Sequence, residues 1–336
     1  MENYSKILTI SVAAYNVEDT LPDTLKSMYD KRILNDLEVL IIDDGSSDNT
    51  AIIAKRFEKK APNTFKYIRK KNGGHGSTIN KGIEMATGKY FKVVDGDDWL
   101  DTNNLVTFIQ DLKKQDSDLV LTNHVEVYPD HSKKINLISG MDVNRKYTWN
   151  DNIDIKRVIL HTLTVKTALL REAHVHITEN CFYVDIEFVG WAAYVSKTIT
   201  YFDLYLYMYR LGESNQSVAK SNMLKNINMQ EKVSYELVKM YDQFVKSDNM
   251  LPNQEKTIFN TFKRSVGSTM RTYLLMPTST AKKKIQKFDS NINQISSISF
   301  QKLDEDKFIH LVRKGNYSLV PLIKVMYRIW VLKYGY

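Results

Sequence analysis

Residues 92–100 read KVVDGDDWL, an apolar strand pattern that ends in three carboxylates. Asp95, Asp97 and Asp98 lie so close together that their charges repel one another unless a cation or hydrogen-bond donors share them. Mg²⁺ prefers oxygen ligands and commonly brings phosphate oxygens with it. Because ligands of α/β sheets bind outside the carboxyl ends of the strands, this stretch predicts a metal and phosphate site. The alternative is an acidic turn with Asp101 as the N-cap of the next helix.

The composition is that of an ordinary globular protein and narrows the possible functions. The 336 residues suffice for one large or two moderate domains, with 43% hydrophobic and 26% charged residues. A single cysteine, Cys181, excludes an intrachain disulfide and favours a reducing, cytoplasmic location. We find no secretory pattern at the N-terminus and no uncharged run of membrane-spanning length. The net charge of +8 favours anionic partners, but without a nucleic-acid signature we expect no nucleic-acid partner.

Strand and helix patterns alternate along the first part of the chain, which predicts an α/β fold with a mostly parallel sheet. The carboxyl ends of parallel strands share one edge, so the polar loops that follow them should meet there. The glycine-rich loop 71–76 belongs to this set, and its backbone N–H groups are expected to face phosphates. The predicted strands are 7–13, 37–42, 65–68, 91–94 and 118–127.

Four segments at this edge resemble the inverting nucleotide-sugar transferases of glycosyltransferase family 2. They are VAAYN at 12–16, IIDDGSSDNT at 41–50, NGGHGSTINKG at 72–82 and VVDGDDWLD at 93–101. The resemblance extends from about residue 5 to about residue 215 and implies the Rossmann-like GT-A fold, with helices flanking the sheet. It also implies a UDP-sugar donor and Mn²⁺ or Mg²⁺ as the cofactor.

The resemblance assigns roles to individual residues. Tyr15 and Asp44 are expected at the uridine base, with Asp43 supporting their loop. Asp95 is expected at the ribose or donor sugar, and Asp97 on the metal. The other expected donor-binding residues are Ala14, Asn16, Gly74, His75, Asn80, Gly96, Arg210 and Ser217.

The chain departs from the family pattern at one donor-binding position. Ile79-Asn80 stands where the family often has Arg-Asn. The contact that this Arg usually provides must come from another residue, with His75 and Lys71 as candidates, or be absent. The departure leaves the identity of the donor sugar open.

The catalytic base is expected in the segment VDIEF at 184–188, which resembles the family's Glu-Asp-x-x-Phe pattern with Val184 in place of Glu. Asp185 matches the base, and Glu187 is the alternative. A carboxylate suits this role because the acceptor hydroxyl must lose its proton as it attacks, and partial desolvation raises its pKa toward the working pH. As a helix, 179–195 would carry Phe182 on its apolar face.

Three further regions carry weaker signals. Residues 128–150 are predicted to be irregular, and the segment 205–219 to be strand-like. Arg210 in that segment either pairs with diphosphate oxygens through its planar fork or is solvated on an edge strand. The histidines lack metal-ligand spacing: His124 and His131 are expected in loops or on the surface, and His161 could line the acceptor cleft.

The pattern turns helical after the transferase-like part, so we predict domains at 1–218 and 219–336. Helices are expected at 221–247, 254–275 and 302–314, with a Ser/Asn-rich turn at 289–299. The last stretch, 319–336, is apolar, aromatic and basic, and no acidic residue follows Asp306. It is either an interfacial helix on the anionic inner leaflet or a helix that packs on the catalytic domain or on a second subunit.

These observations predict an inverting, metal-dependent glycosyltransferase of hexosyl or N-acetylhexosaminyl type. The acceptor is left open among a saccharide, a lipid-linked glycan and a protein-linked glycan of cell-wall, capsule or glycoprotein synthesis. Whether the chain forms a homo-oligomer is also left open. A nucleotidyltransferase would place a basic loop after the first strand, yet residues 13–20 contain no Lys or Arg. A non-catalytic sugar-nucleotide-binding scaffold would be expected to have lost its acidic residues, which this chain retains. The Lys-, Asn- and Ile-rich composition is typical of an AT-rich bacterial source.

Overall fold

The computed structural model describes residues 4–212 and 220–334, which divide into two compact units. The first unit comprises the chain up to Gly212 together with Leu251–Thr257, and the second comprises the remainder. The predicted boundary between residues 218 and 219 falls outside the described residues and stays a prediction.

A mixed sheet of ten strands, counted over the described residues, forms the centre of the first unit. The strand order is β3-β2-β1-β4-β11-β6-β12-β5, with β7 beside β6 and β9 beside β12, while β8 and β10 form a separate pair. In chain order the strands are β1 Lys6–Ala14, β2 Leu37–Asp43, β3 Phe65–Arg69, β4 Gly88–Asp95, β5 Trp99–Leu100, β6 Leu119–Val127, β7 Ser132–Ile135, β8 Ile138–Ser139, β9 Lys146–Thr148, β10 Asp154–Ile155, β11 Leu163–Lys166 and β12 Thr198–Arg210.

The neighbouring strands β3, β2, β1 and β4 run parallel, as do β6 and β12, whereas β11 lies antiparallel between β4 and β6. The helices of this unit are α1 Leu21–Ser27, α2 Thr50–Lys60, α3 His75–Met85, α4 Thr102–Leu112, α5 Thr167–Glu172 and α6 Asp185–Val195, with a 3₁₀ turn at Leu160–Thr162. The predicted α/β fold with a mostly parallel sheet is confirmed.

Continuous apolar runs produce the buried strands. All seven residues of β2 are buried, and Leu8, Ile10 and Val12 of β1 have no exposed surface. Parallel strands are covered on both faces by the helices that connect them, so near-continuous hydrophobicity is the pattern they require.

Asp101 caps α4 by accepting a hydrogen bond from the backbone N–H of Asn104 at 2.8 Å, so the expected N-cap is confirmed.

A buried carboxylate joins the strands at the edge of the sheet opposite their carboxyl ends. Glu38 of β2 is 1% exposed and accepts hydrogen bonds from Thr9 Oγ1 at 2.7 Å, Lys66 Nζ at 2.7 Å and the backbone N–H of Thr87 at 2.8 Å. Burial raises the pKa of Glu38, but these donors outweigh it and hold the pKa below its ordinary value. Glu38 is therefore ionised and links β1, β2 and β3 to the start of β4.

Two predictions of secondary structure outside the candidate site are wrong. Residues 128–150 are not simply irregular, because they contain β7, β8 and β9, of which β7 and β9 pair with β6 and β12. The predicted Ser/Asn-rich turn at 289–299 is instead the end of a helix that runs to Ile295 and the start of the next one. The buried residues Ile285, Phe288 and Ile292 recur at helical spacing there, and their burial outweighs the weak helix propensity of Ser and Asn.

The second unit is helical over its described residues. Its core includes the buried ion pair of Asp289 with Arg313, which joins α10 to α12 at 2.7 Å and is completed by the hydroxyl of Tyr317. None of the helices in the described residues is long and apolar enough to cross a membrane. The remaining helices are α7 Lys220–Lys225, α8 Ile227–Lys246, α9 Pro252–Leu274, α10 Thr278–Ile295, α11 Ser297–Leu303, α12 Lys307–Tyr317 and α13 Val320–Tyr334, of which α9 begins in the first unit.

Candidate active site

Strand register brings the predicted acidic residues to one rim of the sheet. The end of β1 lies between the ends of β2 and β4, so that Ala14 pairs with Asp43 and Ala13 pairs with Asp95. Gly96 continues this contact, since a Cβ added there would lie 2.8 Å from the carbonyl oxygen of Ala13. Only glycine can follow Asp95 at this close approach of two backbones.

The two carboxylates at the end of β2 are fully engaged with protein groups. Asp43 has no exposed surface and accepts hydrogen bonds from the Ser46 backbone N–H at 2.7 Å and the Tyr67 hydroxyl at 2.6 Å. Asp44 is 3% exposed and accepts from the backbone N–H groups of Gly73 and Gly74 at 2.9 and 2.7 Å. These contacts tie the loop after β2 to β3 and to the glycine-rich loop.

The expectation that this glycine-rich loop offers free N–H groups to phosphates is therefore wrong for Gly73 and Gly74. Both N–H groups are oriented toward Asp44 because a carboxylate in a buried position requires hydrogen-bond donors from the protein. Lys70, which the sequence did not single out, adds a 2.7 Å ion pair with Asp44. The neighbouring Lys71 is exposed.

The other residues predicted for nucleotide binding fall into two groups. Tyr15 is 53% exposed at the rim, and the backbone of Asn16 is left-handed, with its side-chain oxygen accepting from the Ser47 N–H at 2.9 Å. Asn80 instead holds a neighbouring segment: its side-chain amide donates to the carbonyl oxygen of Ile177 at 2.9 Å and its oxygen accepts from the Ile177 N–H at 2.8 Å. Asn80 thus positions the chain that leads to the predicted base.

Asp95 lies between two histidines. Its Oδ1 is 3.0 Å from Nε2 of His75, the first residue of α3, and its Oδ2 is 3.9 Å from Nε2 of His161. Burial opposes both charges, but the attraction between Asp95 and His75 lowers the pKa of the carboxyl and raises that of the imidazole. The α3 helix begins at His75 because Gly74 supplies the left-handed backbone (φ of 78°) before it.

Asp98 is held by strand β12. Its Oδ2 accepts from the Tyr207 hydroxyl at 2.7 Å and its Oδ1 from the Arg210 backbone N–H at 2.8 Å. Burial, together with the nearby charges of Asp95 and Asp97, raises the pKa of Asp98 well above its ordinary value. Asp98 is therefore a structural acid that fastens the acidic turn to β12.

Three groups among the described residues could share one cation: Asp95, Asp98 and His161, each with a ligand atom within 4.8 Å of the others. Asp98 is the weakest ligand of the three because both of its oxygens already accept hydrogen bonds from the protein. Burial lowers the pKa of His161 to about 3, which keeps the imidazole neutral, the form that binds metals. Asp97, the expected ligand, is half-buried beside this group, and its role stays a prediction.

The donor set fits a divalent cation in its chemistry. Two half-buried carboxylates, Asp95 and Asp97, and a neutral imidazole lie around a turn in which like charges repel. The guanidinium of Arg210 lies over this turn, with Nε donating to the carbonyl oxygen of Asp97 at 2.8 Å and the ring of Trp99 4.9 Å away. Arg210 therefore carries a positive charge at the acidic end of β4.

Sequence reasoning expected His161 at the acceptor cleft and not beside the acidic turn, and it did not single out a buried lysine. Lys92, in the middle of β4, has no exposed surface and donates to the carbonyl oxygens of His161 and Leu163 at 2.8 and 3.2 Å. Burial lowers the pKa of Lys92 to about 7. The His161 ring lies 4.6 Å from Tyr207 and 4.2 Å from Tyr209. A lysine inside an apolar strand pattern was the available signal for Lys92.

His124 is buried in β6, so its expected loop or surface position is wrong.

The predicted base lies at the start of α6. Asp185 is open to solvent on one side, yet enough protein surrounds it for burial to raise its pKa, a shift that His75 and Arg157 oppose and Asp95 reinforces. Glu187 is 4% exposed and accepts from the backbone N–H of Thr178 at 2.9 Å. The geometry therefore favours Asp185 over Glu187 as a group that substrate can reach.

The helix predicted over 179–195 is shorter than expected. It begins at Asp185, because Asn180 and Tyr183 adopt left-handed backbone angles (φ of 54° and 67°) that interrupt a helix. Phe182 is consequently not on the apolar face of α6 but 47% exposed before it. Val184, which replaces the family's Glu, is fully buried at the N-cap position.

Two further observations delimit the site. Ser217, together with the rest of 213–219, lies outside the described residues. A cleft of about 420 Å³ between α3 and α5 is lined by Asn80 but by none of the carboxylates at the strand ends. The cleft adjoins the rim, because Lys70 and Ser77 line it and also contact Asp44.

Comparison with known proteins identifies the family of this fold. The family model described as "Glycosyl transferase family 2" matches residues 9–175. The "Uncharacterized glycosyltransferase MG060 homolog" of Mycoplasma pneumoniae is 38% identical over 149 residues, which are 44% of this chain and 47% of that protein. The "Poly(ribitol-phosphate) beta-glucosyltransferase" of Bacillus spizizenii is 29% identical over 174 residues, 49% of this chain and 26% of that protein.

Both alignments span less than half of the relative's own length. Among solved structures, S. aureus TarS 1-349 matches with a TM-score of 0.69 and 18% identity, over 97% of this chain and 92% of that one. Its complex with UDP-GlcNAc matches with a TM-score of 0.60 and 17% identity, over 96% and 92% of the two chains. At this identity the likeness shows a common GT-A fold, and it extends beyond the family match into the helical region.

Proposed function

Because residues 9–175 place this chain in glycosyl transferase family 2, we propose that it transfers a sugar from a UDP-sugar to a hydroxyl group of a saccharide or glycoconjugate, with inversion at the anomeric carbon. The observation that carries the proposal is the meeting of Asp95 and Asp185 around His75. Asp95 lies 3.0 Å from His75, and the charges of both groups act on Asp185. The acidic turn and a solvent-exposed carboxyl with a raised pKa thus lie within electrostatic range of one another.

The nucleotide is proposed to bind at the rim formed by Tyr15 and the loops after β2 and β3. Tyr15 offers a half-exposed aromatic ring for the uracil base, and Asp44 fixes the loop against which the base would lie. TarS has been crystallised with UDP and with UDP-GlcNAc, which supports a uridine nucleotide here. Ile79 stands where the family often has a donor-binding Arg, and it is fully buried. Other residues must therefore decide whether the sugar is a hexose or an N-acetylhexosamine.

Mg²⁺ or Mn²⁺ is the proposed cofactor, and Asp95, Asp97 and His161 are the residues that would hold it. A divalent cation supplies charge stabilisation to the departing diphosphate. A distant neighbour of the same fold, a mannosyltransferase of Pyrobaculum calidifontis, has been crystallised with GDP-Man and Mn²⁺. Asp98 does not take part as a ligand in this proposal, because Tyr207 and Arg210 already occupy its oxygens.

The mechanism follows from the positions of the protein groups. The acceptor hydroxyl binds above Asp185, whose raised pKa suits it to take the hydroxyl proton as the new bond forms. The acceptor oxygen attacks the anomeric carbon in line, the bond from that carbon to the diphosphate oxygen breaks, and UDP leaves as the anion. Arg210 stabilises this negative charge from the β12 side. Asp185 then loses its proton to solvent.

The acceptor is proposed to be part of a bacterial cell-surface polymer or glycan. Relatives of this chain include a minor teichoic acid biosynthesis protein and a poly(ribitol-phosphate) beta-glucosyltransferase, both from Bacillus. A saccharide, a lipid-linked glycan and a protein-linked glycan are all compatible with an open site around Asp185. We place the enzyme in the cytoplasm, in keeping with its single cysteine, Cys181, which is buried.

The decisive experiment measures UDP release from a panel of UDP-sugars with Mn²⁺, Mg²⁺ or EDTA, with and without oligosaccharide acceptors. We expect metal-dependent turnover of one donor and a loss of transfer by about 10²–10⁴-fold in Asp185→Asn, with UDP affinity retained. Two matched variants serve as controls, and both should transfer normally. Glu187→Gln keeps an acceptor for the Thr178 N–H. Asp116→Asn changes an acid that is 74% exposed near the edge of the sheet opposite the carboxyl ends of the strands.

Three outcomes would contradict the proposal. Transfer that survives in Asp185→Asn but not in Glu187→Gln would assign the base to Glu187. Binding of UDP-sugars without turnover under any condition would favour the non-catalytic scaffold. Release of pyrophosphate rather than UDP would indicate a nucleotidyltransferase.

A further inference from the structure

The last described helix, α13, is apolar on two opposite faces. One face packs into the second unit through Val320 and Ile323, which are 0% and 6% exposed. The other face carries five large apolar side chains that are each half-exposed or more and recur at helical spacing. They are Leu322 at 58%, Val325 at 55%, Met326 at 58%, Ile329 at 61% and Trp330 at 51%. A contiguous apolar stripe of this kind on a folded protein marks an interaction surface.

The charged side chains of residues 307–336 are all basic. The sequence contains no acidic residue after Asp306, whereas six Lys or Arg residues follow it. Lys307, Lys314 and Arg328 are exposed. Lys324 is not available to a partner, because its ammonium group is buried and donates to the carbonyl oxygen of Met276. The segment that carries the stripe is therefore basic, and Arg328 is exposed on the same helix as the stripe.

We propose that this face of α13 docks on the surface of an anionic lipid bilayer, with the helix lying in the plane of the interface. Apolar side chains of an interfacial helix enter the headgroup region while basic side chains contact anionic lipids. Trp330 and Tyr327, whose rings stack with centroids 6.1 Å apart, are the aromatic types enriched at that depth. The helix has 15 residues, fewer than the roughly 20 that span a bilayer.

A second copy of the chain fits this surface less well. A standard protein interface uses about 20–30 residues from each partner, whereas the stripe offers five side chains on one helix. Two copies joined face to face through α13 would also bring two Arg328 charges close together, and α13 itself carries no acid to neutralise them. The bilayer satisfies both the apolar and the cationic part of the surface. This inference is independent of the proposed donor, acceptor and base.

Flotation of the full chain with vesicles tests the proposal. We expect wild type to float with vesicles of phosphatidylglycerol and phosphatidylcholine, to float weakly with phosphatidylcholine alone, and to be released by high salt. The variant Leu322→Glu/Ile329→Glu should lose roughly tenfold or more of its vesicle affinity. The matched control Ile52→Glu/Ile298→Glu makes the same change at two side chains that are 52% and 44% exposed elsewhere, and should float like wild type.

A charge variant separates the electrostatic from the apolar contribution to vesicle binding. Arg328→Glu should weaken binding to the anionic vesicles, whereas Lys59→Glu, an identical charge change at another exposed site, should not. Equal flotation of wild type and Leu322→Glu/Ile329→Glu would overturn the proposal, as would a failure of wild type to float. A dimer in light scattering that this double variant abolishes would assign the stripe to a second copy. UDP release measured without vesicles should be unchanged in the double variant, which keeps the test separate from the transferase proposal.

Discussion

The Nε2 atom of His75 lies 3.0 Å from Oδ1 of Asp95, and this pair joins the start of α3 to the end of β4. The same imidazole influences Asp185 at the start of α6. One imidazole, whose pKa Asp95 raises against the effect of burial, thus acts on both the proposed donor-binding acid and the proposed base. Its substitution should affect the pH dependence of the reaction as well as its rate.

We expect His75→Gln to move the acidic limb of the kcat/KM profile to higher pH. Burial and Asp95 raise the pKa of Asp185, whereas His75 and Arg157 lower it. Removing the His75 charge leaves the raising influences less opposed, so the Asp185 pKa rises, and the base becomes active only at higher pH. The measurement is the pH of half-maximal kcat/KM for the variant, wild type and His131→Gln, a 58% exposed histidine. A limb that stays in place or moves to lower pH would show that His75 does not act on the base.

Asp97→Asn should lower both Mn²⁺ affinity and turnover. Losing a principal group that stabilises developing charge costs about 10²–10³-fold in rate. Calorimetric titration of Mn²⁺ in the presence of UDP gives a readout separate from activity. Asp116→Asn is the control of equal charge change, and near-normal Mn²⁺ binding in Asp97→Asn would move the metal assignment to Asp95 and His161 alone.

Arg210→Lys should reduce kcat/KM by roughly tenfold although the charge is retained. The guanidinium bonds the carbonyl oxygen of Asp97 and lies 4.9 Å over the ring of Trp99. Lysine provides a point charge without the planar fork or the stacking surface. Steady-state kinetics of Arg210→Lys, with Arg32→Lys as the exposed control, measure this effect. Unchanged kinetics would support the alternative of a solvated arginine on the strand.

Glu38→Gln should destabilise the first unit by about 1–3 kcal/mol at pH 7, because it removes the charge that three donors share. The pKa of Glu38 is lowered by folding, so its contribution is complete above the unfolded value of about 4.3 and is lost as the pH falls through the folded value. Urea unfolding at several pH values should therefore show the difference between the two proteins narrowing in acid. A constant difference would exclude the ionised form as its source.

The strands and the acidic rim could be predicted because their signals are local. Apolar runs mark β1, β2 and β4, and the acids follow them directly in the chain. His161 could not be found in this way. It lies in a turn before β11, a strand inserted antiparallel between β4 and β6, and only that insertion brings it to Asp95. The helical conformation of the Ser/Asn-rich residues at the end of α10 likewise depends on the burial of Ile285, Phe288 and Ile292, which the local Ser/Asn composition does not indicate.

The bonds that hold Asp98 have a consequence for how this protein is made. Tyr207 and Arg210 stand 109 and 112 positions after it in the chain. During synthesis, β1 to β4 emerge from the ribosome long before β12, so the acidic turn remains without these donors until almost the whole first unit has been translated. A chain released before residue 207 would carry its three neighbouring carboxylates without this support. Completion of the rim is therefore one of the last steps in the folding of the first unit during its synthesis. Premature termination should yield inactive fragments rather than enzymes of low activity.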